Sequence, residues 1–423
     1  MTIAAGFLAG AKSRLLPRSI PFRFFAAAAI FHVMMWLELL VGADEAVGFR
    51  GGLGPALASV HLLTLGVLTT MAIGASVQLM PVATRRTLHA VWPIKLIFWL
   101  TVPGLLALIV GMHTGQTNIL IPASAAIAAG LLLFCGLLAD NLRRAGSLAA
   151  VGAYGWAALA MLLLVIALGV TLAADEQAGF LPDHGAVALA HMILGGFGFM
   201  GLLVLGFSHI LIPMFALASA PPKRTSYASF AAALTALLLG TLGALAGSRN
   251  LLTLALLAGL AAAATHLWLM LRVLKTGMRK RLGLSFILVR AAWIMLPVTL
   301  LVGLAALYGF AGERGGTLFG FLLLFGWLLT FSTAILQRIM PFLASMFAAP
   351  PASGGSPIVS ELARVRSLRL HAVCHGVAFT LLVAAILLGD ATVARLGGAV
   401  GLIGAIAFAW FTADVIRRIL PGR

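Results

Sequence analysis

Ten histidines punctuate a chain in which only 9% of residues are charged. Seven of them (His32, His61, His191, His209, His266, His371 and His375) lie in or at the edge of long apolar runs. An imidazole inside a lipid-spanning segment is expensive to bury, so each marks a functional candidate by default. His61 and His191 stand in the first turns of two such runs, at matching depth. Two neutral imidazoles from neighbouring helices at one level can ligate a haem iron from opposite faces or share a metal ion. For either ring alone, a hydrogen bond to a neighbouring helix carbonyl is the simpler use. His371 and His375 have the i, i+4 spacing with which one helix turn can chelate a metal, and His209 is expected at comparable depth as a third donor. A wet, purely structural pair is the competing reading of His371 and His375. His32 and Glu38, the one carboxylate clearly inside a run, share the first apolar segment and mark a candidate proton route. His191 and His209 are 18 residues apart, five helical turns, which predicts one shared face with Gly195 and Gly198 and a separation of about 27 Å along the axis. His89 and His184 fall in loops and His113 at a helix end, where solvation accounts for them.

The elements that must position these groups repeat three times. Pro81, Pro213 and Pro341 each stand near the far end of an apolar helix, at intervals of 132 and 128 residues. Glycine falls fifteen residues before each proline (Gly66, Gly198, Gly326), and a small residue seven before it (Gly74, Gly206, Ala334). Each interval leaves room for about four membrane crossings at ~20 apolar residues apiece. Met80, Met214 and Met340 flank the prolines; thioethers can ligate haem iron or Cu(I), but beside a proline they are ordinary packing. The glycines suit close helix packing or a flat cofactor lying against the backbone.

Composition places the whole chain in lipid. Of 423 residues, 62% are hydrophobic, and 9% charged is far below the ~25% of soluble domains. The net charge of +17 does not point to nucleic acid, because the basic residues sit in short clusters between apolar runs, as topology determinants do. The two cysteines, Cys135 and Cys374, both lie in apolar segments and offer no disulfide or CxxC metal site. Twelve runs are long enough to span: 24–41, 55–82, 90–112, 118–138, 148–173, 187–215, 227–246, 251–274, 284–308, 318–342, 372–388 and 393–419. The expected fold is an all-α integral membrane protein, a single polytopic domain over 1–423 in three four-helix pseudo-repeats (about 20–145, 146–280 and 281–423). Residues 1–19 read as a retained amphipathic lead-in and 348–370 as a loop. With the N-terminus inside, the external loops hold only Arg50, Arg249, Arg314 and Arg395 of the 28 Lys and Arg, which predicts N-in, C-in topology in a bacterial-type inner membrane.

With this topology, the stretches HLLTLGVLTTMAIGASVQLMPVA at 61–83 and HMILGGFGFMGLLVLGFSHILIPMF at 191–215 resemble subunit I of the haem–copper oxidase superfamily. The likeness is to its divergent members, in the neighbourhood of the NnrS-type nitric-oxide-response membrane proteins. The resemblance implies that His61 corresponds to the helix-two haem ligand and His191 to the helix-six copper ligand. It implies haem b as cofactor, copper as a second one, a respiratory redox partner, and oxidoreductase chemistry if the chain is an enzyme. The chain departs from the superfamily in three places. The seventh run has no histidine, the tenth offers only Gln337, and His371 and His375 stand in the eleventh. The resemblance, taken with these departures, implies haem binding, in electron transfer or in nitric oxide or respiratory metal handling, without a full binuclear centre. Twelve helices with glycine-rich repeats also suit a secondary transporter, and the missing ligands suit a non-catalytic assembly subunit.

Overall fold

The structure is a computed structural model that describes residues 14–146, 148–347 and 365–419. Among the described residues, twelve helices are long and apolar enough to cross a bilayer. They are α1 (Ser19–Val41), α2 (Pro55–Thr84), α3 (Trp92–Thr114), α4 (Thr117–Arg143), α5 (Ala150–Ala178), α6 (His184–Ala216), α7 (Lys223–Leu245), α8 (Arg249–Thr276), α9 (Leu284–Leu307), α10 (Gly315–Phe347), α11 (Val365–Leu388) and α12 (Ala391–Ile419). No strand occurs among the described residues. The chain is therefore an all-α multi-span membrane protein, whose helices pair most backbone groups internally, as an apolar layer without water requires.

The loop before α11 ends earlier than the sequence expectation. α11 begins at Val365, so the end of the expected 348–370 loop is helical; Leu368 is already buried and no glycine or proline interrupts the turn. The rest of that loop, 348–364, and residues 1–13 of the lead-in lie outside the described residues. The short interval between α7 and α8 is a genuine turn: Gly247 takes the left-handed conformation at φ 59°, and the Ser248 side chain accepts from Leu251 N to cap α8.

The threefold frame is visible in the packing. In each repeat the third and fourth helices form an antiparallel hairpin: α3 with α4, α7 with α8, α11 with α12. The first helix of each repeat packs on its second, and the ring closes through α4–α5, α8–α9 and α12–α1. The second helices, α2, α6 and α10, occupy the middle. Their span windows are 72%, 56% and 72% buried, against 28–50% for the other nine. That difference separates an inner trio from a lipid-facing ring.

Each inner helix widens into π-helix at the same place: Leu62–Thr69, Ile193–Gly201 and Leu322–Leu329. The three widened segments touch one another pairwise at the centre of the protein. In the first and third, the threonine that follows returns its hydroxyl to the carbonyl five residues back, Thr70 to Leu65 at 3.0 Å and Thr330 to Phe325 at 2.7 Å. Leu202 stands at that position in the second. Gly66, Gly198 and Gly326 all lie within π turns, and each admits a side chain of its repeat's first helix: Phe31, Met161 and Met295. Close packing thus explains these glycines.

The prolines do not end their helices. α2 and α6 run on to Thr84 and Ala216 before closing at left-handed Arg85 and Leu217, each four residues past its proline. One missing N–H near the last turn is tolerated where neighbouring groups re-satisfy the backbone. The same end of α2 is latched to α4. Asn141, fully buried, accepts from the Thr84 hydroxyl and donates to the Arg86 carbonyl, both at 2.9 Å.

Candidate functional site

The seven span histidines form three groups, the first half-buried and the other two buried. The first is His61 with His191. His61 is the last residue before the π segment of α2, and His191 stands two residues before that of α6. The π segments of α2 and α6 pack together, and the two imidazoles lie within electrostatic range of each other. His61 Nδ1 lies 3.1 Å from the Leu57 carbonyl, which can only accept. The proton is therefore on Nδ1 and the lone pair on Nε2, the tautomer usual in metal-ligating histidines. His191 packs on α5, where Gly169 makes room for it: a Cβ there would stand 3.1 Å from His191 Cε1. Its Nδ1 is buried without a hydrogen bond, although the ring passes the Val165 backbone. His191, Gly195, Gly198, Gly206 and His209 all meet α5, as the shared face predicts.

The second group gathers His32, His371 and His375. His371 stands 5.9 Å from His32 and 5.8 Å from His375, ring centre to ring centre. All three are buried, so the wet reading of the α11 pair does not hold. The α11 turn carrying them faces inward against α1, α10 and α12. The tautomers follow from fixed partners. Trp36 Nε1 donates to His32 Nε2 at 3.1 Å, which leaves the His32 proton on Nδ1. His371 Nδ1 donates to the Gly404 carbonyl at 3.2 Å, which leaves its lone pair on Nε2. Both remaining atoms are buried and unpaired. The Thr330 hydroxyl, engaged with Phe325, accepts from His375 Nε2 at 2.7 Å. A donor and an acceptor thus stand unused on adjoining rings.

The third group is His209 with His266 of α8. Their rings are 5.5 Å apart, and Tyr154 of α5 lies 5.4 Å from His209. The expected trio of His209 with His371 and His375 is therefore not assembled, since α6 turns His209 toward α5 and α8 rather than α11. Among the described residues, no three His, Cys, Asp or Glu side chains come together as a metal-holding group. Glu38 is also separated from His32. It pairs with His113 of α3 near the end of the bundle. His184, expected in a loop, instead opens α6 and bonds Asp175 at 2.7 Å.

Sequence reasoning named His266 without giving it a role. Its importance lies in its neighbours on α5, α6 and α9, to which local spacing is blind. Gln78 and Gln337, buried in α2 and α10, have unpaired amides, and glutamine in an apolar run was the available signal. Compared with known proteins, the chain matches no family model and no curated protein.

Proposed function

We propose that this chain is a haem-binding membrane protein of the haem–copper oxidase-like kind, with His61 and His191 as the iron ligands. It works in electron transfer or in nitric oxide or respiratory metal handling, in a bacterial-type inner membrane with both termini cytoplasmic. The observation that carries this reading is that His61 and His191, each beside a π turn at the centre of the protein, lie within electrostatic range of each other. π-turns inside α-helices are frequent at functional sites. The donor set suits the group. His61 presents Nε2 with its tautomer fixed by Leu57, and His191 brings a buried, unpaired nitrogen into a space cleared by Gly169. Bound haem would supply one-electron chemistry. The residues' part is to hold two neutral imidazoles and to keep water away with the leucine- and phenylalanine-rich inner helices.

The test is optical. Protein purified from membranes should show a Soret band and, on reduction, split α and β bands. His61→Ala and His191→Ala should lose them while keeping wild-type helicity by circular dichroism. A colourless wild-type preparation, or full colour in both variants, refutes the assignment.

A further inference from the structure

The three inner helices carry a single Asp, Glu, Lys or Arg between them, Arg338 of α10. It stands three residues before Pro341, where α2 and α6 place Gln78 and Ile210. The half-buried side chain reaches the start of α9. Its Nε donates to Ser285 Oγ at 2.8 Å, and the guanidinium lies over the Phe286 ring, 5.8 Å from its centre. Gly283 turns the chain into α9 at φ 72°, so close that a Cβ there would stand 3.6 Å from Nη2 of Arg338. Arg279 lies within electrostatic range of the same group. Its backbone N–H donates to the Ala216 carbonyl at 3.1 Å, which pins the loop between α8 and α9 onto the end of α6. Lys280 and Arg281 follow it, both exposed.

This corner is cationic without compensation. Among the described residues, the ion pairs leave out Arg338 and Arg279, and the first turn of α9 holds no acidic residue. A guanidinium partly withdrawn from water beside a second one is costly unless an anion meets them. With Nε engaged by Ser285, both Nη groups of Arg338 remain to donate, and their planar fork matches the oxygens of a phosphate. Ser285 is the second residue of α9, so the site lies at the end of a span, at headgroup level. Met278 and Ile287, 66% and 62% exposed, flank it with apolar surface that a free inorganic anion would not use. We propose that Arg338 and Arg279 bind the phosphodiester of an anionic phospholipid, whose chains lie along Met278 and Ile287. In the proposed orientation the site faces the cytoplasmic leaflet, where basic pockets between spans recruit anionic headgroups. It stands apart from His61 and His191 and does not depend on their haem assignment.

The experiment uses the purified full chain, stripped of lipid in neutral detergent and titrated with radiolabelled phosphatidylglycerol. Phosphatidylcholine with the same chains is the control. Saturable binding of phosphatidylglycerol is expected, roughly tenfold tighter than that of phosphatidylcholine and weakening as salt rises. Arg338→Gln, which removes the fork, should weaken it by about tenfold or more. Arg279→Gln, in an exposed loop outside every span, should weaken it severalfold. Inorganic phosphate in about tenfold excess over the lipid should not displace it. Helicity and any haem colour should stay at wild-type values in Arg279→Gln, which separates this site's failure from that of the iron site. Non-saturating uptake, equal affinity for the two lipids, displacement by that excess of inorganic phosphate, or wild-type binding in both variants would each overturn the proposal.

Discussion

Gly169 gives the sharpest handle on the His61–His191 pair, because it touches His191 without contributing a functional atom. A methyl group added there would stand 3.1 Å from Cε1, 3.7 Å from Nδ1 and 4.0 Å from Nε2 of that ring. Carbon atoms prefer about 3.5–4.0 Å, so Gly169→Ala forces the ring or α5 to move by roughly 0.4–0.9 Å. Overpacking of this kind costs about 1–3 kcal/mol. Alanine also returns up to about 1 kcal/mol of helix propensity at this mid-helix position. Set against each other, these leave a net cost in global stability of about 0–3 kcal/mol. If the strain is relieved at the imidazole, haem affinity should fall by about 5- to 150-fold, at 1.4 kcal/mol per tenfold. Gly169→Leu adds branches to the same methyl and should abolish the haem signal. The assay is haem titration of purified apoprotein, followed by the Soret band, with thermal unfolding by circular dichroism in parallel. Wild-type affinity in Gly169→Leu, with an intact fold, would refute the role given to His191.

The remaining predictions probe the frame around the site. Gly206→Ala would place a Cβ 2.8 Å from Tyr154 Cβ, a contact between two stems that cannot rotate away, and should destabilise the protein by about 1–3 kcal/mol in a thermal or denaturant melt. Ala334→Gly, at the equivalent position where a methyl is already accommodated, should cost only about 1 kcal/mol. Thr330→Val leaves buried His375 Nε2 without its acceptor and should cost about 1–3 kcal/mol, most of it recovered in Thr330→Ser. For topology, a cysteine at Gly247 should label with an impermeant maleimide from outside intact cells, and one at Arg144 only after permeabilisation; the reverse pattern would invert the proposed orientation.

Much of the frame is legible in the chain itself, because a bilayer leaves few choices. Long apolar runs must be helices, and basic residues sort by side. The repeats at Pro81, Pro213 and Pro341 mark the three helices that proved to be central. The spacing of Gly66, Gly198 and Gly326 marks the points where first-helix side chains enter. Even the shared face of His191 and His209 follows from helical period alone. Periodicity cannot report which helix stands opposite. Whether His371 meets His209 or His32 depends on the way twelve cylinders close into a ring, and that arrangement turned His209 toward His266 and α11 toward α1. The π turns were also hidden, since no residue type demands them. They arise where three glycine-bearing helices converge and the backbone widens to fit. Sequence therefore determined the number of spans, their threefold order and the buried imidazoles. Only tertiary packing decided the pairing of those imidazoles, because that depends on contacts between segments far apart in the chain.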